Sequence, residues 1–166
     1  KETISKALDV ILVLLLIYLV FDPVFSVNHP HQNPVLGPVS DFMLDKTPLI
    51  DTHCQYGVFV LYFLKFLFSF LPLSYQALNL ISTVLFYFQY LIIYSILRFI
   101  LKSQLFSLIS LFLILEASFF ATIGGEIAAY PSVGPLRFGL AYILLIFFIL
   151  KDQFSKRSKF LTRLIW

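Results

Sequence analysis

The chain has 166 residues, of which 60% are apolar and 13% are charged, and its mean hydropathy is +0.92. A soluble globular domain has nearer ~45–50% apolar and ~25% charged residues, so this composition excludes that class as well as low-hydrophobicity disorder. The formal net charge is +3, and the single cysteine, Cys54, cannot form an internal disulfide.

Four apolar stretches are long enough to cross a bilayer as helices, which takes roughly 17–25 residues. They cover residues 4–25, 77–97, 105–123 and 136–150. Lys6 precedes the first stretch, but no small-residue cleavage site follows, so we expect a retained anchor rather than a signal peptide. The pattern predicts an all-α integral membrane protein, a helical bundle of four to five transmembrane helices.

A fifth apolar stretch, residues 57–71, is shorter and carries Lys65 at its middle, where a lysine costs roughly 2.5–3.5 kcal/mol on insertion scales. If this stretch lies in the interface or re-enters, nine basic residues share one face, which the positive-inside rule makes cytoplasmic. They are Lys1, Lys6, Arg98, Lys102, Lys151, Lys156, Arg157, Lys159 and Arg163. We favour this arrangement, because full crossing would require an intramembrane partner for Lys65, such as Glu116.

The longest polar stretch, residues 22–56, contains all three histidines and is predicted to be an extracytoplasmic first loop. Gly37-Pro38 predicts a turn, and Ser40 predicts the cap of a short helix that reaches about Lys46. We therefore expect one or two short interfacial helices in this loop.

The two ends of the chain bear on its orientation in the membrane and on its length. Residues 151–166 carry five basic residues, which is the pattern of a juxtamembrane anchor on anionic lipid. We favour the simpler interpretation, a cytoplasmic segment that acts as a positive-inside retention signal. Because the chain starts at Lys1, we expect residues 1–166 to be a single transmembrane domain within a longer protein.

The carboxylates best placed for chemistry are Asp41 and Asp51, because a general base must lie near the head group of a lipid-borne substrate. Taken singly, each is more typical of an ordinary solvated loop acid. Asp51 gains weight from its neighbours His53, Gln55 and Tyr56, which form a dense polar cluster before the apolar stretch.

A second polar stretch, residues 124–135, contains glycines and prolines that break helical periodicity, and it includes Glu126 and Tyr130. Arg137 follows it, and a guanidinium suits bidentate contact with phosphate. The alternative role of Arg137 is to reach lipid head groups from the end of a span. Lys46 is a weaker candidate for the phosphate.

The histidines His29, His31 and His53 could bind a divalent metal, but their spacing matches no zinc motif, so we assign no metal ligand. Interfacial hydrogen bonding is the simpler role for them.

Two segments carry a family resemblance. Residues 33–59, NPVLGPVSDFMLDKTPLIDTHCQYGVF, resemble the first extracytoplasmic loop of polytopic bacterial glycosyltransferases of the GT-C type. In that loop a GP-x-x-D stretch is followed by a basic-Pro-Leu-hydrophobic-Asp stretch and then by Gln-Tyr-Gly. Residues 130–139, YPSVGPLRFG, are similar to a second segment of the same proteins.

The resemblance implies transfer of a sugar from a polyprenyl-phosphate donor to an acceptor at the outer face of the bacterial plasma (inner) membrane. It implies a first-loop acid as base or metal-associated residue, which matches Asp41 first and Asp51 second. The family's paired Asp-Glu is replaced here by Asp41-Phe42. Membrane lipids and the lipid-linked sugar are the expected partners, nucleic acid is not, and the cofactor to consider is a divalent metal ion. The expected substrate-binding residues are Arg137, Lys46, His53, Gln55, Tyr56, Glu126 and Tyr130.

Two other classes of function fit the same composition. One is a transporter or flippase segment with an intramembrane charge pair between Lys65 and Glu116. The other is a noncatalytic membrane subunit whose aromatic surfaces pack on partners, which the 20 Phe and nine Tyr permit.

Overall fold

The structure, a computed structural model, describes residues 2–20, 29–121, 131 and 134–157. These residues form helices and connections, with one isolated bridge between Pro48 and Thr52 and no strand. The helices are α1 (Glu2–Val20), α2 (His29–Met43), α3 (Val58–Phe68), α4 (Tyr75–Leu101), α5 (Gln104–Ala121) and α6 (Pro135–Arg157). The prediction of an all-α fold is confirmed.

Within the described ranges, α4 is the one helix that is long and apolar enough to cross a membrane, judged by length and composition. It has 27 residues. Its first turn is capped by Ser74, whose hydroxyl accepts a hydrogen bond of 3.1 Å from the Ala77 N–H. It ends at Lys102, which adopts a left-handed backbone conformation with φ of 52°.

Helix α3 has 11 residues and is therefore about 16 Å long, roughly half of the ~30 Å hydrocarbon core. Lys65 on α3 donates a hydrogen bond of 2.9 Å to the Phe42 carbonyl and lies 3.7 Å from the Asp45 carboxylate. Both partners lie at the C-terminal end of α2, where a cation is favoured. Among the described residues no ion pair joins Lys65 to Glu116, so the pair that the crossing arrangement requires is not formed.

The predicted turn at Gly37-Pro38 and the predicted short helix from Ser40 are wrong. Both sites lie inside α2, which ends at Met43. Pro38 has no N–H for the carbonyl of Pro34, which weakens the helix locally. The helix forms nevertheless because its apolar face is buried against α3 and α4, and burial outweighs the local propensity. The buried residues are Val35, Leu36, Val39 and Phe42.

The bundle has two distinct ends. At one end, which we call the basic end, Asp9 of α1 meets Arg98 of α4 and Gln104 of α5. At the other, the loop end, α2, α3 and the start of α4 share one apolar cluster with Leu136 of α6. Helix α1 therefore runs antiparallel to α4, and α6 starts at the loop end.

Helices α4 and α6 run in the same direction. Gly134, just before α6, lies so close to Phe86 of α4 that an added Cβ would be 2.6 Å from the ring. Further along, Ile143 and Phe147 of α6 share a pocket with Ile92 and other residues of α4. Arg137 follows Gly134 by three residues, and Gln89 follows Phe86 by three residues. The two therefore lie at a similar level along the two helices.

Candidate functional site

The candidate site is a groove between α3, α4 and α6 with a volume of about 590 Å³. Its wall is almost entirely aliphatic and aromatic, and its polar groups belong to Tyr56, Gln89, Arg137 and Tyr142. Along α4 it extends from Leu85 to Leu97, which is twelve steps of 1.5 Å and therefore about 18 Å. One leaflet of a bilayer has a hydrocarbon thickness of ~15 Å, so the groove is about as long as one leaflet is thick.

Two predicted site residues, Tyr56 and Arg137, line this groove together. Tyr56 ends the polar cluster of the first loop, and Arg137 lies in the first turn of α6. The guanidinium is exposed, its Cζ lies 5.3 Å from the centroid of the Phe138 ring, and no described carboxylate forms an ion pair with it. A cation that pairs with none of the described carboxylates and lies in the wall of an apolar groove is suited to an anionic group.

Asp51 lies in the connection between α2 and α3, residues 44–57, and its side chain is exposed. Its Oδ2 accepts a hydrogen bond of 2.7 Å from the Thr47 N–H, while its own N–H donates one of 2.9 Å to the Thr47 carbonyl. Asp51 therefore closes a turn. It precedes Tyr56 by five residues, so the two Cα atoms are at most about 18 Å apart.

Asp41, near the end of α2, is joined to the same connection. Its Oδ1 lies 2.6 Å from Nζ of Lys46. Hydrogen bonds from Lys46, and secondly from Thr52, lower the pKa of the Asp41 carboxyl. The carboxylate is therefore ionised at neutral pH, and Lys46 is engaged by Asp41 rather than held open for a phosphate.

The other predicted site residues contribute less. His53 and Gln55 are exposed in the α2–α3 connection, while Glu126 and Tyr130 lie outside the described residues. The described part of the chain contains no group of three His, Cys, Asp or Glu side chains arranged to hold a metal ion.

The polar cluster of the basic end was not predicted from the sequence. The carboxylate of Asp9 accepts hydrogen bonds from the Tyr94 hydroxyl and, at 3.2 Å, from Nε2 of Gln104. Nε of Arg98 lies 3.8 Å from the same carboxylate oxygen. Gln104 also donates to the Ser5 carbonyl at 2.9 Å. The signal in the sequence was an acid inside an apolar stretch, which needs a partner.

Gln89, whose amide lies in the wall of the groove, was not predicted from the sequence either. Its Oε1 is buried and has no hydrogen-bond partner in the described part of the protein. The available signal was again a polar side chain in an apolar helix.

Comparisons with protein-family models, with curated proteins and with solved structures find no match to this chain.

Proposed function

We propose that this chain is the membrane-embedded part of a glycosyltransferase of the GT-C type. It would move a sugar from a polyprenyl-phosphate donor to an acceptor at the outer face of the bacterial plasma membrane. The observation that carries the proposal is that Tyr56 and Arg137, which belong to the two segments of the family resemblance, line one groove.

The proposed arrangement in the membrane places the loop end outside and the basic end inside. Helices α1 and α5, with 19 and 18 residues, are about 27–29 Å long and would cross together with α4 and α6. Arg98 and Lys102 then lie on the cytoplasmic side, as the positive-inside rule requires, and the acids of the α2–α3 connection lie outside. The short helix α3 stays in the outer half of the bilayer.

The groove supports a lipid-linked substrate because it combines apolar length with one cation, Arg137. An isoprenoid tail would lie against α3, α4 and α6, with its phosphate at Arg137. The guanidinium would pair with the phosphate in two parallel hydrogen bonds. This positions the anomeric carbon of the sugar on the side of the α2–α3 connection.

The reaction then needs a base and an anion clamp. The acceptor hydroxyl oxygen attacks the anomeric carbon while the base takes the hydroxyl proton. The bond between the anomeric carbon and the phosphate oxygen breaks, and its electron pair stays on the phosphate. Arg137 offsets the negative charge that develops there, which is the larger part of such catalysis.

Asp51 suits the role of base better than Asp41. The pKa of Asp41 is lowered by Lys46, which makes it a weaker proton acceptor. Asp51 is exposed, uses Oδ2 in its turn and lies within five residues of Tyr56. We assign the base to Asp51 and the ordering of the α2–α3 connection to Asp41 and Lys46.

The test is sugar transfer by the full-length protein carrying Asp51→Asn, Asp41→Asn or Asp45→Asn. Loss of a general base lowers turnover by about 10²–10⁴. We expect this loss for Asp51→Asn, a smaller one for Asp41→Asn, and none for Asp45→Asn, whose side chain is 95% exposed. Unchanged turnover in all three variants would contradict the proposal and favour a noncatalytic subunit.

A further inference from the structure

Helix α4 carries a row of polar residues on one face. Asn79, Ser82, Thr83 and Gln89 follow helical spacing along that face. Asn79 accepts a hydrogen bond from Nε2 of Gln32 on α2. The other three each have a buried oxygen with no partner in the part of the chain that the structure describes: Ser82 Oγ, Thr83 Oγ1 and Gln89 Oε1.

Gln89 differs from the two hydroxyl residues because it alone of the three lines the groove. Ser82 and Thr83 are enclosed by the protein, at 1% and 4% exposure, and no ligand reaches them from the groove. A carbonyl oxygen that is buried without a donor is unfavourable, whereas an apolar side chain of the same size would not be. Oε1 has almost no solvent-accessible surface, so a ligand hydroxyl in the groove reaches it once the amide turns about its last side-chain bond.

The position of Gln89 relative to Arg137 points to the head group of that ligand rather than its tail. Gly134 abuts Phe86, and α4 and α6 run in the same direction. Gln89 and Arg137 each lie three residues further along, so they stand at a similar level on opposite walls of the groove. Beyond this level the wall towards Ile96 is apolar.

We infer that Gln89 is a specificity-determining residue whose carbonyl oxygen accepts a hydrogen bond from a hydroxyl of the lipid-borne sugar. The phosphate of the same lipid sits on Arg137. This inference rests on the proposed function and assigns the recognition of the sugar to α4. Arg137 holds any lipid phosphate, and Gln89 separates the glycosylated from the unglycosylated carrier.

The test is competition binding to the full chain in nanodiscs of zwitterionic lipid, with a photoactivatable polyprenyl phosphate as the labelled probe. The competitors are glycosylated polyprenyl phosphate, polyprenyl phosphate and polyprenol. The variant is Gln89→Met, which keeps the volume and removes the amide. The matched control is Gln76→Met on the exposed surface of α4. Arg137→Gln tests the phosphate separately.

We expect the wild type to prefer the glycosylated competitor by about tenfold, the factor that one neutral hydrogen bond supplies. Gln89→Met should lose this preference while it still binds polyprenyl phosphate, which also shows that the variant is folded. Gln76→Met should keep the preference. Arg137→Gln should weaken both phosphate-bearing competitors alike and leave polyprenol unchanged.

Two results would overturn the inference in different ways. If Gln89→Met keeps the preference while Arg137→Gln loses phosphate binding, the role of Gln89 is wrong and the proposed function stands. If the wild type binds no polyprenyl phosphate in competition with bulk lipid, the proposed function fails, and the role of Gln89 fails with it.

Discussion

The basic end and the groove differ in whether their polar side chains have hydrogen-bond and ion-pair partners among the described residues. At the basic end, Asp9 has Tyr94, Gln104 and Arg98 around one carboxylate oxygen. In the groove, the amide oxygen of Gln89 has no described partner, and Arg137 has no described carboxylate. Polar groups that satisfy one another fix the packing of helices, whereas unsatisfied ones call for a partner from outside the described chain.

The contrast matters because both regions lie among apolar helices. There, a hydrogen bond between helices replaces one that water would otherwise supply. The cluster around Asp9 joins α1 to α4 and α5 and thereby sets the position of the first helix. Its described contacts join one helix to another, which identifies it as structural.

The largest expected effect on the free energy of unfolding comes from Asp9→Leu. Removing the carboxylate takes the acceptor from the Tyr94 hydroxyl and from one N–H of Gln104, and the ion-pair partner from Arg98. At roughly 0.6 kcal/mol for each of these interactions we expect a loss of about 2 kcal/mol. Asp9→Asn should lose less, since an amide oxygen still accepts. Thermal unfolding of the detergent-solubilised protein measures both, and probe binding in the groove should stay at the wild-type level. If Asp9→Leu is as stable as wild type, the cluster around Asp9 does not stabilise the packing of the helices, and the contrast with the groove is contradicted.

A smaller effect is expected at Gly134. An alanine Cβ there would lie 2.6 Å and 2.8 Å from two ring carbons of Phe86, which is only 3% exposed. We expect Gly134→Ala to cost about 1 kcal/mol through overpacking, and to narrow the groove near Arg137.

Gly139→Ala is the matched control for this change. Its nearest contact would be Pro135 Cβ at 3.9 Å, so the new methyl group fits. Alanine in a helix interior should then stabilise α6 by roughly 0.5–1 kcal/mol. Thermal unfolding should therefore shift in opposite directions for the two substitutions, and a shift in the same direction would contradict the close contact between Gly134 and Phe86.

The sequence predicted the long helices well, because each depends on a local run of apolar residues. The stretches at residues 77–97 and 105–123 became α4 and α5 with ends shifted by a few residues. The prediction failed at α2, where proline argued against a helix that burial of Val39 and Phe42 stabilises. That burial depends on α3 and α4, which local propensity does not contain.

The candidate site was predictable only in part, for a related reason. Tyr56 and Arg137 attracted attention as members of polar motifs, and the fold brings both to one groove. Gln89 and Asp9 belong to no sequence motif, and their roles depend on the residues that the fold places around them. Asp9 and Tyr94 are 85 residues apart in the sequence, so nothing local predicts that contact.

The smallest expected effect concerns Asp41 and can be read from pH dependence. Lys46 lowers the pKa of Asp41 in the folded state, below the ordinary value of 3.8 that applies after unfolding. The pair therefore stabilises the fold fully above that value, and its contribution disappears as the pH falls through the lower folded pKa. Because the carboxylate is solvent-exposed, the contribution is modest.

Lys46→Met removes the main cause of the lowered pKa, so the melting temperature should fall less steeply between about pH 5 and pH 3 than in wild type. Lys102→Met, which removes a cation without a described ion-pair partner, should keep the wild-type slope. In an Asp41→Asn background, Lys46→Met should no longer change the slope, because the titrating partner is gone. A slope change that persists in that background would show that Lys46 acts through another acid of the connection, such as Asp45 or Asp51, and not through the residue we assign to its ordering.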